Sequence, residues 1–176
     1  MRWGAWGALR ALGRFADENR EHMAPWEPPR PPDFRSNEFW RVPVGRNRRA
    51  FESGAAVMLF IFPKEQPGEV IGQISYTSIV RGPADMCMLG YALAERAQGN
   101  GYMHEALLAT NQYVFKQLNM HRVMANFMPH NMRSNAVLRH LGFVVEGYAR
   151  DYLYVNGAWR DHVLTSLTNH DWKPLD

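Results

Sequence analysis

The sequence is poor in the features that stabilise secreted proteins and anchor membrane proteins. Its 176 residues include one cysteine, Cys87, so no disulfide can form within the chain, which is typical of a reducing compartment. Its longest apolar runs, such as residues 55–62, are far shorter than the roughly 20 residues that a membrane-spanning helix needs. Glycines and Arg10 interrupt the apolar N-terminus, and no signal-peptide cleavage region follows. We therefore predict a cytoplasmic protein that does not enter a membrane.

Several signatures of enzyme chemistry are also missing. The sequence has no Gly-x-Ser-x-Gly nucleophile elbow, and its seven histidines show no His-Glu-x-x-His or comparable metal-ligand spacing. Cys87 lies in the middle of a predicted strand without a partnering histidine nearby, which favours a small buried hydrophobic residue over a nucleophile. These absences argue against serine-hydrolase chemistry and against a catalytic metal.

The composition is that of one globular domain. With 46% hydrophobic and 12% aromatic residues, the chain can bury one sizeable core and is short for two, so we predict a single domain over residues 1–176. The net charge is +3, and the excess of arginine lies in the first 50 residues. A basic cluster there is compatible with RNA, a ribosome or a cofactor phosphate, although a solvated face is the commoner role of such runs; the cluster comprises Arg41, Arg46, Arg48 and Arg49.

Apolar periodicity and turn signals predict an α/β (α+β) chain. An N-terminal helical piece is separated from the rest by the proline-rich segment 24–33, which is too rich in proline for a regular helix. Short connections favour an antiparallel meander of the first three strands, and the Asn156-Gly157 step favours a final hairpin. The predicted elements are a helix near 36–53, strands at 56–62, 70–80 and 86–93, a helix at 102–118, a strand at 121–128, a helix from Asn131 to His140, and strands at about 143–154 and 159–168.

A glycine-rich turn precedes the helix at 102–118. In Arg96-Ala97-Gln98-Gly99-Asn100-Gly101, two glycines enter a helix whose first backbone N–H groups lack intrahelical partners, which is a natural seat for a phosphate or pyrophosphate. No Gly-Lys-Ser/Thr follows, and His104 breaks a Gly-x-Gly-x-x-Gly pattern, so neither a nucleotide hydrolase nor a dinucleotide enzyme is supported. On these residues alone, an ordinary strand-to-helix turn is as good an interpretation as an anion site.

The order in which these motifs follow one another along the chain resembles that of a known enzyme family. A strand, Arg96-x-x-Gly99-x-Gly101, a helix, a strand, an Asn-led helix and Leu141-Gly142-Phe143 together resemble the acetyl-CoA site of GNAT superfamily acetyltransferases over residues 55–168. Further segments, spread over nearly the whole chain, resemble bacterial RimJ-type protein N-terminal alanine acetyltransferases. They are Glu18-Asn19-Arg20, Pro25-Trp26-Glu27-Pro28, Met128-Pro129-His130-Asn131 with Arg133-Ser134, Glu146-Gly147-Tyr148, Asp151-Tyr152-Leu153 and Trp159-Arg160-Asp161-His162.

The resemblance implies a GNAT fold and a place for acetyl-CoA. The expected sheet is mixed, mostly antiparallel, flanked by helices, and splayed into a V between the strands at 86–93 and 121–128. The family usually has an extra edge strand before its first helix, for which this chain has little room. The cofactor arm is expected in the V and its pyrophosphate on the turn. The implied cofactor-binding residues are Tyr91, Ala92, Leu93, Arg96, Gln98, Gly99, Asn100, Gly101, Tyr102, Asn131 and Ser134.

The resemblance also implies direct acetyl transfer to an α-amine, without an acetyl-enzyme. An α-amine suits this chemistry because on the order of 15% of it is neutral at pH 7, against roughly 0.04% of a lysine. We expect Ser134 to protonate the departing thiolate, although without the resemblance a solvent-facing serine would be the simpler interpretation. Some relatives carry a carboxylate where this chain has Asn126, so the base is left open: Asn126 could hold a water, and Glu27 and Asp151 are weaker candidates.

The implied function is acetylation of the N-terminal Ala or Ser of a protein, with a small-subunit ribosomal protein as the expected acceptor. Ribosome association is a further expectation, and a monomer and a homodimer are both left open. Trp26, Glu27 and Tyr148 are the candidates for substrate contact. Two alternatives remain at this stage, namely a GNAT acetyltransferase of a small amine such as an antibiotic or polyamine, and a non-catalytic acetyl-CoA-binding or RNA-binding module.

Overall fold

The computed structural model describes residues 5–28 and 37–174, with side chains from residue 10 in the first range and from residue 44 in the second. Five α-helices, two short 3₁₀ helices (Ala24–Trp26 and Glu95–Ala97) and six strands follow one another in these ranges. The helices are α1 (Ala5–Glu18), α2 (Arg20–Met23), α3 (Asn37–Glu52), α4 (Tyr102–Lys116) and α5 (Met132–His140). The strands are β1 (Val57–Ile61), β2 (Gly72–Val80), β3 (Met86–Leu93), β4 (Arg122–Phe127), β5 (Val144–Val155) and β6 (Ala158–Thr168).

The strands form one mixed sheet in the order β1-β2-β3-β4-β6-β5. Among the described strands, β3 and β4 make the one parallel pair, and the other four pairs are antiparallel. Helix α4 is the crossover between the two parallel strands, which need such a connection to run in the same direction. The predicted mostly antiparallel sheet and its crossover helix are therefore confirmed.

The parallel pair separates before its strands end. β3 and β4 are in register from Met86 with Arg122 to Leu89 with Ala125, while β3 continues to Leu93 and β4 to Phe127. The last four residues of β3 still pair with β2 through Leu93 and Gly72. A gap therefore opens between β3 and β4 at their carboxyl ends, as the V-shaped sheet was predicted to have.

Helices cover both faces of the sheet. Helices α4 and α5 pack on the face of β4 that bears Val123 and Ala125, in the larger of two hydrophobic clusters. Helices α1 and α3 pack on the opposite face, where Leu12 and Phe15 are buried with Val44 of α3 and with neighbours from the ends of β1 and β3. Because side chains alternate along a strand, each residue beside the gap can be assigned to the α4–α5 face or to the α1–α3 face.

Local signals placed most element boundaries correctly. The bounds of β3 are those predicted, Asn156 and Gly157 form the hairpin turn with positive φ, and the Asn131 side chain caps α5 by accepting a hydrogen bond from Ser134 N–H. Helix α4 ends two residues earlier than predicted because the chain turns at Asn119, which also has a positive φ. The prediction for residues 29–33 lies outside the described residues, as does the segment before α1 where the expected edge strand would lie.

The helices bear on the prediction that the protein does not enter a membrane. Within residues 5–28 and 37–174, every helix is too short or too polar to cross a bilayer.

The hydroxyl of Tyr76 ties β2 to α4, and its removal should destabilise the fold. Tyr76 is fully buried, and its hydroxyl lies 2.7 Å from Asn111 Oδ1 and 2.9 Å from Thr110 Oγ1. We predict that Tyr76→Phe lowers the free energy of unfolding by about 1–3 kcal/mol, because Asn111 loses its partner in the core. Urea denaturation followed by circular dichroism measures this. Tyr154→Phe, at a half-exposed position, is the control and should stay within about 0.5 kcal/mol; equal effects of the two variants would contradict the prediction.

Candidate active site

The gap between β3 and β4 exposes backbone groups of two residues. Asp85 O accepts from Arg122 N–H on the β4 side, whereas Ala94 N–H donates to Ile71 O on the β2 side. Backbone groups alternate between neighbouring strands along β3, so those of Tyr91 and Leu93 face the gap, beyond the last pair with β4. An extended amide-containing chain can pair with them as an added strand. Ala92, also predicted to contact a cofactor through its backbone, instead points its backbone groups at β2.

The turn before α4 presents free N–H groups around open space. Gly99 and Gly101 have φ of +79° and +77°, and a side chain built at either would meet nothing within 4 Å. Among the described residues, no acceptor is found for the N–H groups of Gly99, Asn100, Gly101 and Tyr102, and Gly101 caps the helix without a side-chain bond. These groups stand at the positive end of the α4 dipole, which suits a pyrophosphate.

Two residues of this turn depart from their predicted roles. Gln98 N–H donates to Glu95 O at 3.1 Å, so the set of free donors begins at Gly99. The Arg96 guanidinium forms ion pairs with Glu69 and Glu18, so its charge is already balanced by carboxylates. Asn100 Nδ2 donates to Gln98 O at 3.0 Å and so supports the turn itself. The seat for an anion therefore rests mainly on backbone groups.

The N-terminal segment braces the same turn, which the sequence did not predict. Asn19 Oδ1 accepts from Glu95 N–H at 3.0 Å, and the Gln98 side-chain amide lies 2.7 Å from His22 Nε2. The amide nitrogen can only donate, so this ring nitrogen accepts, and the His22 Nδ1–H faces the Glu95 carboxylate at 3.9 Å. Asn19 lies in the quoted segment Glu18-Asn19-Arg20, which was the available signal that this region matters.

Ser134 meets Tyr91 on the α4–α5 face of the sheet. Asn131 Oδ1 accepts from Ser134 N–H at 3.1 Å, which fixes the first turn of α5. The Ser134 Oγ atom lies 2.7 Å from Tyr91 Oη, and Tyr91 Oη–H can also reach Ser134 O at 3.4 Å. Burial raises the pKa of Tyr91 to about 12, an effect that the hydrogen bond with Ser134 partly offsets. The sequence predicted a backbone role for Tyr91 and missed this side-chain contact.

The next group of predicted residues comprises Asn126, on the α1–α3 face of β4, and the N-terminal residues Trp26 and Glu27. Asn126 alternates with the buried Ala125 and Phe127 of β4, and its Nδ2 lies 3.6 Å from Met88 Sδ. The ring of Trp26 packs 5.3 Å from the ring of His130, just after β4. Glu27 O accepts from Asn156 N–H at the tip of the β5–β6 hairpin. Residues 26–27 thus form a lip that bridges the loop after β4 and the hairpin.

Tyr148 and Asp151 meet a residue that was not predicted. Asp161 Oδ2 accepts from the Tyr148 hydroxyl at 2.6 Å, and Asp161 Oδ1 accepts from Asp151 N–H at 2.9 Å. The hydrogen bond to Asp161 raises the pKa of Tyr148, and the same bond lowers the pKa of Asp161. Asp151 lies at an irregularity in the β5–β6 register with φ of +47°. No described contact joins this cluster to Ser134 or to Asn126.

His162 is a further residue that sequence reasoning did not single out. It is 4% exposed, and it precedes by two residues Leu164, the partner of Asn126, so it lies on the same sheet face as Asn126. Its Nδ1 is 2.9 Å from Arg160 O, which leaves Nε2 as the acceptor atom of a neutral ring. The ring of Tyr152 packs 5.6 Å away. The Trp159-Arg160-Asp161-His162 segment was the available signal.

Nucleophilic and metal chemistry find little support in the described residues. Cys87 is 1% exposed in the core, and burial raises the pKa of its thiol to about 12, so the thiolate is scarce near neutral pH. In residues 5–28 and 37–174, no group of three histidine, cysteine, aspartate or glutamate side chains is arranged to hold a metal ion.

Comparisons with known proteins agree with this geometry. The family model described as an acetyltransferase (GNAT) domain matches residues 8–144. A [ribosomal protein uS5]-alanine N-acetyltransferase of Escherichia coli (strain K12) is 43% identical over 168 residues, covering 94% of this chain and 86% of that protein.

Two solved structures extend the likeness to the fold. A ribosomal-protein-S5-alanine acetyltransferase from Vibrio fischeri is 39% identical with a TM-score of 0.92, covering 98% of this chain and 94% of its own. A Mycobacterium smegmatis RimJ in complex with CoA-disulfide is 30% identical with a TM-score of 0.85. The match covers 93% of this chain and 78% of that chain.

The free N–H groups of the turn lead to a prediction about coenzyme A affinity. Gly101→Ala places a side chain on a left-handed residue, which costs about 1–2 kcal/mol and is relieved by moving the turn out of its anion-binding geometry. We expect coenzyme A to bind about 5- to 30-fold more weakly by isothermal titration calorimetry. Gly82→Ala is the matched control, because Gly82 has φ of +89° with nothing within 4 Å in the turn between β2 and β3. Equal affinities of the two variants would rule out the turn as the seat.

Proposed function

Because the chain belongs to the GNAT acetyltransferase family and is an acetyl-CoA-dependent acyltransferase, we propose that its acceptor is the N-terminal α-amine of a ribosomal protein. The alanine terminus of uS5, a small-subunit protein, is the first candidate, and a serine terminus is the second. The observation that carries the proposal is the 43% identity to a uS5-alanine N-acetyltransferase over 94% of the chain. That match is long enough to include the N-terminal lip as well as the cofactor turn.

The proposed place of acetyl-CoA follows the free backbone groups. The arm of the cofactor would lie in the gap and pair with the backbone of Tyr91 and Leu93, while the N–H groups of residues 99–102 would bind the pyrophosphate. Bound there, acetyl-CoA supplies an activated acetyl group. Both sets of groups lack protein partners in the described residues, so both are available to hydrogen-bond a ligand.

In the proposed reaction, the amine is deprotonated on one face of the sheet and the thiolate is protonated on the other. The α-amine approaches from the α1–α3 face, between the lip at residues 26–27 and Asn126, where the Asn126 amide can hold a water that takes the amine proton. Backbone N–H groups of β3 facing the gap stabilise the oxyanion of the tetrahedral intermediate. Ser134, on the α4–α5 face, protonates the departing thiolate. Glu27 and Tyr148 serve as substrate contacts, and Asp151 supports the acceptor through the cluster with Asp161.

A ribosomal acceptor would place the reaction in the cytoplasm. Recognition is confined in this proposal to the exposed N-terminus of the acceptor, since the lip and the gap offer room for an extended peptide end. Association with the ribosome would then be transient, and it requires no stable complex between this chain and the particle.

The acceptor is tested with synthetic peptides. We expect the purified protein and acetyl-CoA to modify a peptide with the uS5 N-terminus, detected as an added acetyl mass on the first residue. The matched control has the same sequence with a blocked α-amine and its lysines free, and it should remain unmodified. Acetylation of the blocked peptide, or turnover with spermidine and no turnover with the free peptide, would refute the proposed acceptor.

Ser134 is tested by removing its hydroxyl. We predict that Ser134→Ala lowers kcat about 100-fold, because general-acid groups typically contribute on the order of 10²–10⁴, while the affinity for acetyl-CoA changes little. Steady-state kinetics with the uS5 peptide measure both quantities. Ser53→Ala, at the exposed end of α3, is the control and should retain full activity. Unchanged kcat in Ser134→Ala would exclude the proposed acid.

A further inference from the structure

We propose that Tyr91 is a positioning and proton-relay residue for Ser134, a role that rests on the proposed function of Ser134 as the acid. Tyr91 was expected to act through its backbone alone. Its side chain instead joins the end of β3 to the first turn of α5, and its hydroxyl is the nearest described proton donor to Ser134 Oγ, at 2.7 Å.

The placement of Tyr91 is what makes this contact specific to the reaction. Tyr91 lies two residues beyond Leu89, the last residue of β3 that pairs with β4. Its backbone faces the gap, while its side chain shares the α4–α5 face with Leu89 and Cys87, since side chains alternate along the strand. One residue would therefore pair with the cofactor arm and, at the same time, orient the serine next to that arm.

The hydrogen bonds have one arrangement that leaves Ser134 ready to act. Each hydroxyl has a single hydrogen. If Ser134 donated to Tyr91 Oη, its proton would point away from the thioester, and Tyr91 would keep only the long contact of 3.4 Å to Ser134 O. If Tyr91 donates to Ser134 Oγ across 2.7 Å, the serine proton is free to point into the gap. Tyr91 therefore fixes the direction in which Ser134 donates.

The relay also lessens a difficulty of serine as an acid, because a phenolate is less basic than an alkoxide. A lone serine that gave up its proton would become an alkoxide, which is far more basic than a thiolate. In the relay, the carbon–sulfur bond breaks with its electron pair going to sulfur, the Ser134 proton moves to sulfur, and the Tyr91 proton moves to Ser134 Oγ. The phenolate left on Tyr91 then regains a proton from solvent, while the proton released by the acceptor nitrogen leaves through the water held by Asn126. No proton is gained or lost overall.

The protonation state of Tyr91 suits this cycle. Burial raises the pKa of Tyr91 to about 12, so the phenol carries its proton throughout the neutral range. The Tyr91 hydroxyl is therefore protonated at the start of each turnover.

The decisive experiment is a double-mutant cycle with the uS5 peptide. Wild-type turnover is measured first, and spermidine replaces the peptide if only the small amine is acetylated, so a wrong acceptor is distinguished from a wrong relay. We expect Tyr91→Phe to lower kcat about 10-fold or more, with the KM for acetyl-CoA within about twofold of wild type. Because Tyr91 acts through Ser134, Tyr91→Phe should cause no further loss in the Ser134→Ala background.

Two controls separate this role from a structural one. Tyr76→Phe removes another buried hydroxyl with two partners on α4, and its kcat should match wild type at a temperature where all variants are folded. Incorporation of 3-fluorotyrosine at position 91 retains the hydroxyl and should restore kcat to within about threefold. The proposal is overturned if Tyr91→Phe retains wild-type kcat, if the losses of the two single variants multiply in the double variant, or if the fluorinated protein is as slow as Tyr91→Phe.

Discussion

The early end of the pairing between β3 and β4 is the constraint on which the rest of the structure depends. The ladder stops at Leu89 and Ala125, and the backbone groups of Tyr91 and Leu93 are left facing the gap between the two strands. Unpaired backbone groups on a strand edge can pair with another extended chain, so a sheet that keeps such a gap can receive one. A chain that carries its own amides fills it as a strand would, which explains why the fold suits a cofactor with a long amide-containing arm.

The same gap separates the two halves of the reaction. Alternation along β3 and β4 sends Tyr91 to the α4–α5 face and Asn126 to the α1–α3 face, so in the proposed reaction the acceptor and the leaving thiol meet different side chains. The first turns of α4 and α5 both lie near the carboxyl end of the parallel pair, where one presents backbone N–H groups and the other presents Ser134. The N-terminal segment contributes from outside the sheet, since Asn19 and His22 brace the turn while Trp26 and Glu27 form the lip on the proposed acceptor side.

Much of this could be predicted from local sequence. The bounds of β3, the hairpin at Asn156-Gly157 and the cap at Asn131 depend on a few neighbouring residues, and each was predicted correctly. The glycine turn was found for the same reason, because positive φ and free N–H groups are properties of the segment itself.

Contacts between distant segments could not be predicted in the same way. Tyr91 and Ser134 are 43 positions apart, and His22 and Gln98 are 76 apart, so their meeting depends on strand register and helix placement. Arg96 shows the same limit, since its partners Glu18 and Glu69 come from separate elements and change what the arginine can do. A residue type at a motif position indicates a role, but the neighbours that decide the role come from the whole fold.

Amide hydrogen exchange on adding acetyl-CoA tests the central claim most directly, because it reports on the backbone groups themselves. If the cofactor arm occupies the gap, exchange at the amides of Tyr91 and Leu93 slows strongly at saturating acetyl-CoA, together with the amides of residues 99–102, while the amides of the distant turn between β2 and β3 keep their rates. Unchanged exchange at Tyr91 and Leu93 under saturation would contradict the account, since the gap would then not be where the cofactor binds.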